Sequence, residues 1–179
     1  YNVTLLIQSD FDIEYGRFRI RALPRTSNRA VRMTVLMAKC FRLAWSEEAD
    51  IYHLHDPELM PMGLLLKVLG KTVVFDMHEN LPEQIMNKAW ISKWLRWPIS
   101  YSIKLIERIV LTQLSVVMAE KSYLKSYLWV KNKEVILNLP MVDELINLSV
   151  SKFDTPTVGY IGGITRDRGA FATLNALSN

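Results

Sequence analysis

The sequence predicts an α/β fold: a parallel sheet with helices on both faces. Short β-forming segments alternate with helical segments along most of the chain, and the run from Thr72 to Phe75 suits a strand covered on both faces. Half of the 179 residues are apolar, and Gly and Pro are sparse. This length suits one such domain with a substantial core but is too short for two full ones.

The N-terminal elements are predicted to be two strands and a long helix. Asn2 to Gln8 is a short apolar strand, and in residues 17–23 arginine alternates with apolar side chains, which gives a strand with one polar face. Apolar residues then recur at helical spacing from Asn28 to Trp45, with Asn28 or the preceding serine as the cap. The only cysteine, Cys40, lies in this pattern and is expected in the core.

The middle of the chain continues the alternation. A strand from Ile51 to Leu54 is followed by Asp56-Pro57-Glu58, which has the composition of a helix start, and this helix is expected to stop at Gly70. Further strands are expected at residues 72–75, 116–118 and 134–137, and further helices at 98–113 and 122–129.

We interpret residues 1–150 as one Rossmann-like domain and residues 151–156 as a linker. Residues 157–179 are then the first β-loop-α unit of a truncated second domain, with a strand from Thr157 to Ile161 and a helix from about Arg168. The first residue is not Met and the last ones fall within an apparent helix, so we expect the chain to be part of a longer protein. No signal peptide and no membrane-spanning apolar run is visible.

Charge and cysteine content restrict the function only weakly. The formal net charge is +4, a mild excess that suits phosphate-bearing ligands or an anionic membrane surface as well as plain solubility. It indicates no particular polyanion, and no nucleic acid partner is expected. A single cysteine allows no internal disulfide, which fits a reducing cytosol.

Polar side chains follow the predicted strands, where ligands bind in open parallel sheets. His78 and Glu79 follow one strand, and an imidazole there can hydrogen-bond a substrate hydroxyl or phosphate and carry a proton near neutral pH. A structural histidine bonded to a loop carbonyl is the alternative. Glu79 is either a partner of His78 or an acid in an early helical turn.

His53, His55 and Asp56 lie at the end of the preceding strand. The two histidines are two residues apart and therefore face the same way, so that with Asp56 and His78 they could ligate a metal. A structural or substrate-contacting role is favoured over a metal. Asp56 is expected to cap the following helix, and a substrate contact is compatible with that role.

Two basic groups lie away from these strand ends. Arg25, Arg29 and Arg32 surround the start of the first long helix, where they either hold a diphosphate or form a solvated basic face. The stretch from Lys88 to Lys104 interleaves aromatic and cationic side chains, which suits a membrane interface, with ordinary packing between helices as the alternative. Its principal members are Trp90, Lys93, Trp94, Arg96 and Trp97.

A glycine pair near the C-terminal end is a further candidate for ligand binding. Gly162 and Gly163 follow a predicted strand and precede a helix, so that the backbone can approach a ligand closely. Arg166 and Arg168, next to the helix N-terminus, favour an anion there.

Three segments together resemble the family 4 glycosyltransferases, in particular bacterial O-antigen and capsule enzymes. They are ADIYHLHDPELMPMGLLLKVLGKTVVFDMHENLPEQI, the later NLP after a strand, and VGYIGGITRDRG. The resemblance extends over most of the chain from about Ser27 onward. It implies a GT-B fold, in which two Rossmann-like domains face each other across a cleft. The N-terminal half binds the acceptor and the C-terminal half binds a nucleotide sugar.

The implied activity is metal-independent sugar transfer with retention of the anomeric configuration. The donor is expected to be a UDP-sugar, and the acceptor a polyprenyl-diphosphate-linked sugar in surface polysaccharide synthesis at the cytoplasmic membrane surface. His78 and Glu79 are then catalytic, and a lysine or arginine such as Arg168 neutralises the leaving diphosphate. The acceptor-binding set is Arg25, Arg29, Arg32, His55 and Asp56, and the donor-binding set is Gly162, Gly163, Arg166 and Arg168. No cofactor and no metal is expected.

The chain departs from the family pattern in three ways. Gly163 stands where many relatives have an arginine, and both the downstream acidic motif and the first strand with its Gly-rich loop are absent, so the chain is expected to be inactive alone. The alternatives are a metal-dependent hydrolase using His53, His55, Asp56 and His78, a GT-B sugar-nucleotide epimerase, and a non-catalytic membrane-associated module.

Overall fold

The computed structural model describes residues 1–139, 155, 157–159 and 169–177. The chain divides into two compact units, Tyr1–Leu139 and Pro140–Asn179. The predicted domain boundary at residue 150, and all of the predicted linker but Thr155, lie outside the described residues.

The N-terminal strands form a small sheet of their own. Strands β1 (Val3–Gln8), β2 (Ile13–Tyr15) and β3 (Phe18–Leu23) pair in the order β1-β3-β2. β1 runs parallel to β3 and β2 runs antiparallel to it, so the two strands predicted here are confirmed. The third strand, β2, was not predicted; it joins β3 through a tight turn at Gly16, whose φ of +59° suits glycine.

The first long helix begins where the sequence predicts. It consists of α1 (Arg29–Val31), a π-helical segment (Arg32–Leu36) and α2 (Met37–Ser46). The Asn28 side chain accepts hydrogen bonds from the backbone N–H groups of Ala30 and Val31, as expected of a cap. Cys40 is buried, and burial raises the pKa of its thiol, so its predicted place in the core is confirmed.

A four-stranded, all-parallel sheet forms the centre of the first unit and confirms the predicted fold class. Its strands are β4 (Ile51–Leu54), β5 (Thr72–Met77), β6 (Ser115–Met118) and β7 (Lys133–Val135), in the order β4-β5-β6-β7. The connections contain a 3₁₀ turn (Pro57–Leu59), α3 (Met60–Val68), α4 (Leu81–Asn87), α5 (Lys93–Leu111) and α6 (Tyr123–Ser126). The second unit contributes α7 (Ala170–Leu177), close to the predicted helix.

Three local predictions were wrong. Asp56 occupies the cap position before the 3₁₀ turn, but its side chain makes no capping hydrogen bond. β5 continues two residues past Phe75, so Asp76 lies within the strand and not after it. α5 begins at Lys93 rather than at Pro98, which therefore lies in the second turn and removes one backbone hydrogen bond of the helix.

The core lies between this sheet and its helices. Phe75, Leu66 and Leu111 are almost completely inaccessible to solvent. Gly63 allows α3 to approach β4, since a Cβ there would lie 2.5 Å from the Cδ1 atom of Leu54. This close packing fixes the carboxyl end of β4. Among the described helices, none is both long enough and apolar enough to cross a bilayer.

One buried polar group in the core leads to a stability prediction. The phenol oxygen of Tyr52 is buried and has no hydrogen-bond partner within the part of the chain that the structure describes. Removing it by Tyr52→Phe is expected to raise the free energy of unfolding by about 1 kcal/mol, since an unsatisfied buried hydroxyl is costly. Urea denaturation measures the change.

Tyr123→Phe is the matched control. The Tyr123 hydroxyl donates to the backbone carbonyl of His78 at 2.8 Å, so its removal is expected to lower the free energy of unfolding by about 1 kcal/mol. If both variants lost the same free energy of unfolding, the Tyr52 hydroxyl would have a hydrogen-bond partner after all.

Candidate functional site

The three histidines of the chain meet at the carboxyl ends of β4 and β5. In β4, Tyr52 and Leu54 face the core, so His53 and His55 face the other way. The parallel register pairs His53 with Val74, which places Asp76, two residues further along β5, on the same face as both histidines.

A single carboxylate oxygen lies at the centre of this group. Asp76 Oδ2 is 3.5 Å from His53 Nε2, 3.4 Å from His55 Nδ1 and 3.2 Å from His78 Nε2. His55 Nδ1 is also 3.4 Å from His78 Nε2, and the ring centroids of His53 and His55 are 4.6 Å apart. We call these four residues the histidine cluster. The sequence analysis singled out the three histidines as candidates but not Asp76.

The protonation of one member of the cluster is perturbed. Partial burial, with the neighbouring His55 imidazole as a smaller cause, lowers the pKa of His53. His53 is therefore neutral at neutral pH and offers a lone pair. The side chain of Asp76 is only 14% exposed, whereas that of His55 is 58% exposed, so the cluster is accessible from the imidazole side.

A cavity of about 190 Å³ lies beside the cluster. It brings together four residues that the sequence singled out, which are His55, Asp56, His78 and Glu79. The remaining lining residues are Pro57, Met60, Phe75, Met77 and Glu107. An apolar floor with imidazoles and carboxylates at its rim can hold a hydroxyl-rich ligand and exchange protons with it.

Glu107 is a site residue that the sequence interpretation missed. It lies on α5 with only 2% of its surface exposed, and burial raises its pKa to about 7. Its Oε2 atom is 3.0 Å from the Tyr127 hydroxyl. The signal in the sequence is an acid on the helix face that also carries the buried Val110 and Leu111, a position that ordinarily holds an apolar residue.

A second cavity, of about 380 Å³, lies on the other side of Glu107 among α4, α5 and α6. Its lining includes Asn80, Tyr101, Lys104, Arg108, Tyr127 and Trp129.

Two tyrosines hold the loop that follows His78. The Tyr127 hydroxyl is 3.3 Å from the Asn80 side-chain oxygen, and Asn80 caps α4. The loop after His78 is thus held by Tyr127 through Asn80 and by Tyr123 through the His78 carbonyl. Among the described residues, the imidazole of His78 contacts Asp76 and His55, and no backbone carbonyl of that part of the chain accepts from it.

The three arginines of the predicted acceptor site engage different partners. Arg25 forms an exposed ion pair with Asp10 at 3.3 Å, and Arg32 makes two hydrogen bonds to the Glu58 carboxylate. The Arg29 guanidinium lies 5.1 Å from the ring centroid of Trp90. Each cation already has a neighbour, so a diphosphate would have to replace or share these contacts. Their joint role in binding an anion stays a prediction.

The aromatic stretch is largely on the surface. Trp90, Trp94 and Trp97 are 65%, 86% and 66% exposed, and Lys93 is exposed between them. Arg96 differs, because its guanidinium donates to the backbone carbonyls of Ile91 and Met86 and holds the start of α5. Rings this exposed do not pack in the core, while the membrane role and the alternative of packing between helices both stay predictions.

The predicted donor-binding residues Gly162, Gly163, Arg166 and Arg168 lie outside the described residues, as do Tyr160 and Ile161 at the end of the strand predicted from Thr157. Thr157 to Gly159 are described and have no regular secondary structure.

Comparison of the chain with protein-family models, with curated proteins and with solved structures finds no match.

Proposed function

We propose that this chain is the acceptor-binding part of a retaining glycosyltransferase. The enzyme moves a sugar from a nucleotide sugar, expected to be UDP-linked, to a lipid-diphosphate-linked sugar. The observation that carries the proposal is the cavity at the carboxyl ends of β4 and β5, because it combines His55, Asp56, His78 and Glu79 at the edge where α/β sheets bind ligands. These residues belong to the segments that resemble the glycosyltransferase family.

The side chains of the cavity suit a sugar hydroxyl and a phosphate. The ring nitrogens of His55 and His78 can form hydrogen bonds with a ligand, and the carboxylates of Asp56 and Glu79 accept them from hydroxyl groups. In this proposal His78 contacts the transferred sugar or its phosphates, with Glu79 as its partner, while His55 and Asp56 orient the acceptor. Buried Glu107 lies behind them and supplies a group that is protonated at and just below neutral pH.

The surface of α5 supports a lipid-linked acceptor. The exposed rings of Trp94 and Trp97 lie on the same helix as Glu107, which lines the cavity. An acceptor with a polyprenyl tail is anchored in the membrane, so the enzyme has to bind it at the membrane surface. Exposed tryptophans beside lysines are favoured there. We therefore propose peripheral association with the cytoplasmic membrane surface.

A transfer assay on the full-length protein tests the proposal. A panel of nucleotide sugars is offered with a polyprenyl-diphosphate-linked sugar, and one donor is expected to be consumed with retention. His78→Ala and Glu79→Gln are each expected to lower kcat/KM at least about tenfold, the equivalent of one hydrogen bond to a charged or reacting group.

Glu134→Gln is the matched control for Glu79→Gln, because Glu134 is exposed on β7 and does not line the cavity. It is expected to leave kcat/KM unchanged. A folded protein that transfers no sugar from the panel would refute the proposal. Interconversion of the nucleotide sugar alone would then favour an epimerase, and hydrolysis abolished by a chelator would favour a metal-dependent hydrolase.

A further inference from the structure

The histidine cluster has a geometry that hydrogen bonding alone does not explain. Asp76 Oδ2 lies 3.4 and 3.5 Å from nitrogen atoms of His55 and His53, whereas charge-assisted N–H···O bonds measure about 2.7 to 2.9 Å. One carboxylate oxygen therefore faces three imidazoles, and two of them lie beyond good hydrogen-bond distance. Side chains that converge without bonding one another well are typical of ligands around an ion.

We propose that the histidine cluster binds one divalent transition-metal ion of the zinc type, with His53 Nε2, His55 Nδ1 and Asp76 Oδ2 as ligands. These three residues can place their ligand atoms within 4.8 Å of one another. The His78 imidazole lies beside this set, with Nε2 3.2 Å from Asp76 Oδ2, and is not one of the three ligands. The site does not depend on the proposed transferase activity, and the ion is assigned no part in sugar transfer.

The distances match a tetrahedral site. Zinc holds nitrogen and carboxylate oxygen ligands at about 2.0 to 2.1 Å, so neighbouring ligand atoms of a tetrahedron lie about 3.3 Å apart. Asp76 Oδ2 lies 3.5 Å from His53 Nε2 and 3.4 Å from His55 Nδ1, and the ligand atoms that the three residues offer all lie within 4.8 Å of one another. A rotation of the two imidazoles would bring them to the tetrahedral separation and leave the fourth position open.

The backbone presents the ligands in a fixed arrangement. His53 and Asp76 lie within paired strands, and His55 directly follows β4, which is held in place by the packing of Gly63 against Leu54. The imidazoles are partly exposed to solvent, so an ion can reach the ligand atoms. A set of two imidazoles and one carboxylate suits zinc, copper or nickel, whereas magnesium and calcium prefer oxygen ligands.

The test is direct metal binding to the untagged chain, without a polyhistidine tag that would bind the same ions. Titration calorimetry with zinc chloride is expected to give one ion per chain, and magnesium chloride no detectable heat at the same concentrations. His53→Ala is expected to weaken zinc binding at least about tenfold, and since His53 is half exposed, this variant should fold normally.

Asp76→Asn and Asp56→Asn form a matched pair. Both remove one carboxylate charge at neighbouring strand ends, but only Asp76 touches the histidine nitrogens, so only Asp76→Asn is expected to weaken zinc binding. Circular dichroism checks that both variants are folded. Equal weakening by the two variants, undiminished binding in His53→Ala, or no zinc bound by the wild-type chain would each overturn the site. Zinc binding is measured without a sugar donor or acceptor, so its result does not depend on the transfer assay. Either proposal can therefore be refuted while the other stands.

Discussion

Glu107→Gln is expected to make the protein progressively more stable than the wild type as the pH is raised. The advantage of Gln over Glu at this position, measured as the difference in free energy of unfolding, should grow by roughly 3 kcal/mol between pH 4 and pH 8. The cause is the burial of the Glu107 carboxyl group, which raises its pKa from 4.5 to about 7. Urea denaturation of both proteins across this range measures the effect.

The direction follows from proton binding. In the unfolded chain Glu107 loses its proton near its ordinary pKa of 4.5, whereas in the folded protein it keeps the proton up to about pH 7. Between these values the folded state binds more protons, so the free energy of unfolding falls as the pH rises. The loss is complete above the folded-state pKa. Glutamine is neutral throughout and has no such dependence.

The hydrogen bonds around Glu107 fit a protonated carboxyl group. The Tyr127 hydroxyl lies 3.0 Å from Glu107 Oε2 and 3.3 Å from Asn80 Oδ1, but a hydroxyl has only one proton to donate. If Glu107 carries a proton and donates it to the Tyr127 oxygen, Tyr127 can donate to Asn80, and both contacts are satisfied. A deprotonated Glu107 leaves one of the two contacts unmade.

Glu134→Gln serves as the control, since Glu134 is exposed on β7 and its replacement should give a difference that does not vary over this pH range. If the difference in free energy of unfolding between Glu107→Gln and the wild type were also independent of pH, Glu107 would be ionised in the folded protein at neutral pH. Its role as a protonated group beside the candidate site would then have to be abandoned.

The sequence predicted the sheet and part of the candidate site for clear physical reasons. Alternation with period two fixes which side chains of a strand share a face, so His53 and His55 were correctly expected to face the same way. Strand ends in a parallel sheet collect ligand-binding groups, and His55, Asp56, His78 and Glu79 do line one cavity.

The rest of the site depends on relations that the sequence does not contain. Asp76 joins the histidines only because β5 is two residues longer than its apolar run and because the register sets it beside β4. Glu107 comes from a helix some thirty residues further along the chain, and its role depends on burial. The arginines near the first helix are engaged by Asp10, Glu58 and Trp90, and such partners cannot be deduced from residue spacing.

The second large effect is expected at the membrane surface. Replacing Trp94 and Trp97 together by Ser should weaken binding to vesicles that contain anionic lipid by roughly a hundredfold. Burying an aromatic ring at least partly in the interface contributes about 1.4 kcal/mol, which is tenfold in affinity for each ring. Vesicle sedimentation at several lipid concentrations measures the binding.

Folding should be unaffected, because the two rings are 86% and 66% exposed and cover little of the core. Tyr15→Ser is the control, since Tyr15 is a similarly exposed aromatic residue on β2, in the three-stranded sheet. It should leave vesicle binding unchanged.

Salt separates the two contributions to membrane binding. The lysines of the stretch, such as Lys93, attract an anionic surface by about 1 kcal/mol each at low ionic strength, and this attraction is screened as salt is added. The tryptophan contribution is apolar and persists. The ratio of affinities between wild type and the Trp94/Trp97 variant should therefore stay near a hundredfold in high salt while both affinities fall. A ratio that collapses toward one would show that these rings do not enter the interface, and the exposed face of α5 would then need a protein partner instead.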